Sequence, residues 1–92
     1  MTPRPTHATL SAITDLSALI DSTRNLADRA RALRMTDTAR ELRALATDLD
    51  GSRTALITDG EAALDDALDA LEYAADELTE YAARIGRARG RA

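Results

Sequence analysis

Five oxygen-bearing side chains in the middle of the chain have the spacing of calcium ligands. Read as positions one, three, five, seven and twelve of a calcium-binding loop, they are Asp48, Asp50, Ser52, Thr54 and Asp59. Such a loop needs glycine at its sixth position, for a sharp turn, and a bidentate glutamate at its last. The chain has Arg53 and Asp59 there. The pattern therefore predicts a polar turn and no metal site.

A second group of carboxylates fills the last third of the chain, and no basic residue lies between Gly60 and Ala83. Dimetal centres in helical bundles use inward-pointing glutamates and Glu-x-x-His pairs, whereas the only histidine here is His7. We therefore expect no cofactor and interpret the acids as a solvent-facing surface for a protein partner. The candidate partner-binding residues are Asp65, Asp69, Glu72, Tyr73, Asp76, Glu77 and Glu80.

Catalytic groups are scarce. The chain has no cysteine, one histidine, no Gly-x-Ser-x-Gly sequence and no glycine-rich phosphate loop, so it lacks the usual nucleophile and base pairs. We predict a non-enzymatic protein.

Ten of the twelve arginines form two groups. One closes the chain and is the candidate for nucleic-acid contact: Arg84, Arg87, Arg89 and Arg91. The other lies in the middle and is expected beside the acidic segment: Arg24, Arg29, Arg31, Arg34, Arg40 and Arg43. Arginines can neutralise phosphates, but a net charge of −4 and only two aromatic residues argue against a dedicated nucleic-acid binder. Nucleic-acid binding by the last arginines, or mimicry of nucleic acid by the acidic segment, is an alternative function.

Helices must position these groups, because Ala, Leu and Arg are abundant while Val, Phe and Trp are absent. With 92 residues there is room for one domain. We predict a flexible lead over residues 1–5, a helical domain over 6–86 and an Arg/Gly-rich tail over 87–92. Apolar periodicity places helices at about 7–34, 38–57 and 60–86. The last has a seven-residue seam: Leu64, Leu71, Leu78 and Ile85.

Capping residues set the predicted boundaries. Thr6 can cap the first helix, Thr38 with Glu41 forms a capping box for the second, and Thr58 with Glu61 forms one for the third. Leu33 and Leu42 are nine residues apart, which puts the apolar stripes of the first and second helices half a turn out of phase. The helix must therefore break between these two residues. Gly51 marks a kink or a turn in the second helix.

These elements predict an all-α fold, a small antiparallel three-helix bundle. The alternative is a long helical hairpin that turns only at residues 50–52. An alanine-rich core without large aromatics leaves little stability margin, so we expect the heptad seam to cover further apolar surface in a homodimer or with a protein partner.

The hairpin alternative has a sequence signature. Tyr73 and Glu77 spell Tyr-x-x-x-Glu, and residues 49–51 read Leu-Asp-Gly. This resembles the Trp-x-Gly proteins, helical-hairpin substrates of type VII secretion, with Leu49 where that family has tryptophan. The resemblance implies export without a signal peptide. Otherwise the lack of an apolar stretch in residues 1–10, and of any segment long enough to span a membrane, predicts a cytoplasmic protein.

Overall fold

The computed structural model describes residues 6–90, which form three long helices joined by short connections. Helix α1 spans His7–Ala32, α2 spans Thr36–Asp59 and α3 spans Leu64–Gly90, with a single 3-10 turn at Gly60–Ala63 before α3. All three helices contact one another, and α1 and α2 do so over the most residues. The predicted all-α bundle is confirmed, and no strand occurs in the described part of the chain.

Contacts between the helices fix their antiparallel register. Arg53 of α2 donates a hydrogen bond to the Ser17 hydroxyl of α1 (3.2 Å), and the Tyr81 hydroxyl of α3 donates to Glu41 of α2 (2.9 Å). The bundle therefore has two ends. The turn end holds the α1–α2 connection and the C-terminus of α3; the junction end holds residues 60–63 and the N-terminus of α1.

The core is built largely from alanine. Its fully buried large side chains include Leu16, Ile20, Leu42, Leu49 and Leu56. Between them lie buried alanines from all three helices: Ala12, Ala27, Ala30, Ala39, Ala46, Ala67 and Ala74. Small residues at contact positions let helix axes approach toward the short end of the usual 8–10 Å. Alanine at these positions therefore favours close packing of the three helices.

Two threonines occupy core positions of α1, although apolar periodicity does not place them in the core. Thr9 and Thr23 are both fully buried. The Thr23 hydroxyl donates to the Leu19 carbonyl (2.6 Å), and the Thr9 hydroxyl lies 2.9 Å from that of Thr6, so neither polar group is left unpaired. Leu10, although apolar, is 50% exposed, and the neighbouring Thr9 takes the inward position.

The α1–α2 connection occurs where the phase argument requires a break, but it is not closed by the predicted capping box. Its hydrogen bonds run from the Met35 amide to the Ala30 carbonyl (2.8 Å) and from the Arg34 amide to the Arg31 carbonyl (3.0 Å). This is the Schellman pattern that ends helices. Helix α2 begins at Thr36 with Met35 as N-cap and no side-chain cap, so the Thr38 capping box is wrong.

Arg34 sits in the left-handed position of this motif, with φ of 61°. Glycine is the usual residue there because a Cβ atom costs energy in that conformation. We expect Arg34→Gly to raise the free energy of unfolding by about 1 kcal/mol. Chemical denaturation would measure the gain. Arg43→Gly, in the interior of α2 and also exposed, is the control and should lose about 1 kcal/mol; a loss at both positions would contradict the assignment.

The middle and last boundaries also differ from prediction. Helix α2 passes through residues 48–57 without interruption, so both the polar turn and the hairpin turning at 50–52 are wrong. The α2–α3 junction has no side-chain cap from Thr58; Gly60, with φ of 62°, ends α2 instead. Helix α3 runs through Gly86 to Gly90, so most of the predicted tail is helical.

At the N-terminus, the predicted cap is confirmed: the Thr6 hydroxyl accepts a hydrogen bond from the Thr9 amide (3.2 Å). The predicted flexible lead over residues 1–5 lies outside the described residues. Among helices α1 to α3, none is both long and apolar enough to cross a membrane.

Candidate interaction surfaces

The heptad seam of α3 lies on the inside of the bundle. Leu78 and Ile85 are buried, and Leu64 and Leu71 are partly buried against the core. The seam therefore packs α3 onto α1 and α2. A partner could reach most of its atoms only by displacing α3.

The opposite side of α3 carries the predicted carboxylates, and we call it the acidic face. It comprises Asp65, Asp66, Asp69, Glu72, Asp76, Glu77 and Glu80, of which all but Glu77 are exposed. Over residues 6–90 the only ion pairs are Asp37–Arg40 and Asp50–Arg53, both within α2. The middle arginines thus form no ion pair with the acidic face, because the seam, and not the acids, turns toward α1 and α2.

Tyr73 lies within the acidic face and is 61% exposed. It is the more exposed of the two tyrosines, since Tyr81 is partly buried against the core. An aromatic ring surrounded by carboxylates suits an arginine-bearing surface, because the ring face and the acids both attract a guanidinium group.

Tyr81 is held by charged neighbours. Its hydroxyl donates to Glu41, and the guanidinium carbon of Arg84 lies 5.3 Å from the ring centroid. Burial, followed by the hydrogen bond and charge of Glu41 and the charge of Glu77, raises the pKa of Tyr81 to about 12, against a smaller opposing effect of Arg84. The neutral hydroxyl is therefore favoured in the folded protein.

This shift predicts an alkaline titration. In a Tyr73→Phe variant, tyrosinate absorbance reports Tyr81 alone, and we expect its midpoint near pH 12 rather than the ordinary 10.0. Because the folded-state pKa is the higher one, the contribution of Tyr81 to stability is complete below pH 10.0 and disappears as the pH rises to about 12. Adding Glu41→Gln should lower the midpoint. An unchanged midpoint would show that Glu41 is not a cause.

The arginines collect at the turn end. Arg84, Arg87 and Arg89 are exposed on the last turns of α3, whereas Arg91 lies outside the described residues. The register brings them level with the α1–α2 connection. When the bundle is divided about halfway along its length, the turn-end half consists of residues 20–47 and 77–90. This half has nine arginines and six acidic residues. The arginines are Arg24, Arg29, Arg31, Arg34, Arg40, Arg43, Arg84, Arg87 and Arg89.

The junction-end half has the opposite charge. Over residues 6–19 and 48–76 a single arginine, Arg53, stands against ten carboxylates. These are Asp15, Asp48, Asp50, Asp59, Glu61, Asp65, Asp66, Asp69, Glu72 and Asp76. The folded chain is therefore polarised along its length, which the order of residues alone does not reveal.

A groove that sequence reasoning missed lies between α1 and α3 at the turn end. It has a volume of about 330 Å³. Its lining is Leu26, Arg29, Ala32, Leu33, Ala82, Ile85, Gly86 and Arg89. The sequence signal for it was weak, since Leu26, Leu33 and Ile85 read as ordinary core residues.

Residues 6–90 contain no group of three or more His, Cys, Asp or Glu side chains placed to hold a metal ion. The calcium-like pattern is spread along the continuous helix α2. No protein-family model, curated protein or solved structure matches this chain.

Proposed function

We propose that this chain is a non-enzymatic interaction module that binds a cationic protein surface through the acidic face of α3. The observation that carries the proposal is the acidic face itself, which has no ion pair to residues 6–90 and surrounds an exposed tyrosine. The fold requires only the inner side of α3, because the seam and the buried alanines supply its packing. The outer side is available for binding.

Electrostatics define the partner. Seven carboxylates on one side of a helix attract a surface rich in arginine or lysine and speed its association, and added salt weakens the attraction. Tyr73 would supply the central contact, because aromatic side chains at the middle of an interface contribute more than charges at its rim. A nucleic-acid-binding groove is one such cationic surface, and binding there would be mimicry of nucleic acid.

The experiment uses a photo-crosslinking amino acid at position 73, with the same amino acid at the exposed Ala44 of α2 as control. We expect a crosslinked partner only from position 73. The variant Asp69→Asn/Asp76→Asn/Glu80→Gln should abolish it. The control Asp15→Asn/Asp21→Asn/Asp28→Asn, which changes as many exposed charges on α1, should retain it. Equal crosslinking with both triple variants would overturn the proposal. Competition by duplex DNA would identify the partner as a nucleic-acid-binding protein.

A second candidate function is nucleic-acid binding through the turn end. It is supported by the convergence of Arg84 and Arg87 on the end that holds Arg31, Arg34 and Arg40. A mobility-shift titration of duplex DNA at low salt tests it, with Arg84→Gln/Arg87→Gln as the variant. Binding that weakens in the variant supports it, and no shift by the unchanged protein refutes it.

A further inference from the structure

The groove at the turn end combines an apolar floor with cationic rims. Leu26, Leu33 and Ile85 form the floor, with the two leucines partly exposed, and Arg29 and Arg89 lie at its edges. Neither arginine forms an ion pair within residues 6–90. Such a groove suits an apolar side chain accompanied by carboxylates.

The same face of the bundle presents such a side chain near the junction end. Leu68 is 48% exposed and lies seven and fourteen residues before Ala75 and Ala82, so it shares the side of α3 that borders the groove. Asp65 and Asp69 flank it. We propose that two copies of this chain associate antiparallel through their α1–α3 faces, with Leu68 of each copy in the groove of the other.

Charge selects this orientation. An antiparallel pair places each junction-end half, with ten carboxylates and one arginine, against a turn-end half with nine arginines and six carboxylates. A parallel pair would oppose like halves, which is unfavourable. With Leu68 level with Ile85 of the second copy, Asp65 comes within one residue of the level of Arg89 of that copy. The α1–α3 register likewise brings Asp15 to within about one helical turn of the level of the second copy's Arg29.

A two-fold axis relates the copies, so every contact occurs twice. The axis crosses α3 about midway between Leu68 and Ile85, near Ala75 and Thr79, which are small and exposed. Ala18 and Ser22 are the corresponding small exposed residues of α1. They leave room for the two faces to approach closely. Asp65 and Asp69 of the acidic face border this interface, whereas Tyr73 lies on the other side of α3, so the dimer does not depend on the proposed function.

Light scattering and sedimentation equilibrium across a concentration series test the dimer. We expect a monomer–dimer equilibrium that Leu68→Asp weakens at least about tenfold while helical circular dichroism is unchanged. The matched control is Ile57→Asp, which adds the same charge at a 67% exposed position of α2 and should leave the dimer intact. A monomeric mass throughout, or equal weakening by both variants, overturns the proposal.

Two further measurements test the antiparallel register. Asp65→Arg and Arg89→Glu should each weaken the dimer, and the double variant should restore it.

Because the chain has no cysteine, Ala75→Cys near the axis should give a disulfide-linked dimer on mild oxidation. Ala44→Cys on α2 should not. Failure of the double variant to restore association, or crosslinking by both cysteines alike, refutes this register. Either result leaves the crosslinking test at position 73 unaffected, because Tyr73 lies on the side of α3 away from Leu68.

Discussion

Replacing Leu42 by alanine should destabilise the protein by about 2–5 kcal/mol. Leu42 is 0% exposed, and its side chain lies in the core formed by all three helices. Truncation removes buried apolar surface and leaves a cavity, because closely packed helices linked by short connections cannot move in to fill it. A chain of 92 residues has a total stability of roughly 5–14 kcal/mol, so the loss is a large fraction.

Thermal and denaturant unfolding followed by circular dichroism would measure this effect, at about 4–8 °C of melting temperature per kcal/mol. The control is Leu10→Ala, the same substitution at a half-exposed position of α1, which should change stability by no more than about 0.5 kcal/mol. Similar losses at the two positions would contradict the assignment of Leu42 to the core and Leu10 to the surface.

The opposite substitution, Ala74→Leu, should also destabilise the bundle, by about 1–3 kcal/mol. Ala74 is 0% exposed on the inner side of α3. A larger side chain must either adopt a strained rotamer or push α3 away from its neighbours, which exposes the seam. We expect the added apolar surface not to offset this strain, because Ala74 is already enclosed by the core.

Ala83→Leu provides the comparison for this substitution, since Ala83 is exposed on the same helix. It should be nearly neutral, within about 0.5 kcal/mol. A stabilised Ala74→Leu protein would show that the core contains unfilled volume and that the alanines do not set the distance between helices.

Periodicity predicted the three helices because apolar spacing averages over many residues. The break after α1 followed from the phase difference between Leu33 and Leu42. Its position could not be refined, since the motif that closes it puts an arginine where glycine is the common signal. Thr38 and Thr58 matched capping patterns, but the backbone closed both ends by other means. Capping preferences of about 1 kcal/mol are easily outweighed by the packing of a whole helix.

Surface features were predicted less completely than the helices. The acidic face could be read from the sequence because its members share one helix. The groove and the polarity of the bundle could not, since they arise when Arg29 and Arg89, or Asp15 and Asp65, come together from different helices. Thr23 shows a further limit of prediction from apolar spacing. Its hydroxyl donates a hydrogen bond to a carbonyl four residues earlier, so this polar side chain can be buried as an apolar one would be.

The unequal sharing of contacts among the helices has a consequence for folding. Helices α1 and α2 contact each other over more residues than either contacts α3, and only a three-residue connection separates them. Neighbouring segments pair with little loop-closure entropy, so the α1–α2 hairpin is the natural nucleus and α3 docks afterwards. We therefore expect detachment of α3 to be the partial unfolding event of lowest free energy. It would expose the Leu64–Ile85 seam to solvent while the α1–α2 hairpin stays folded.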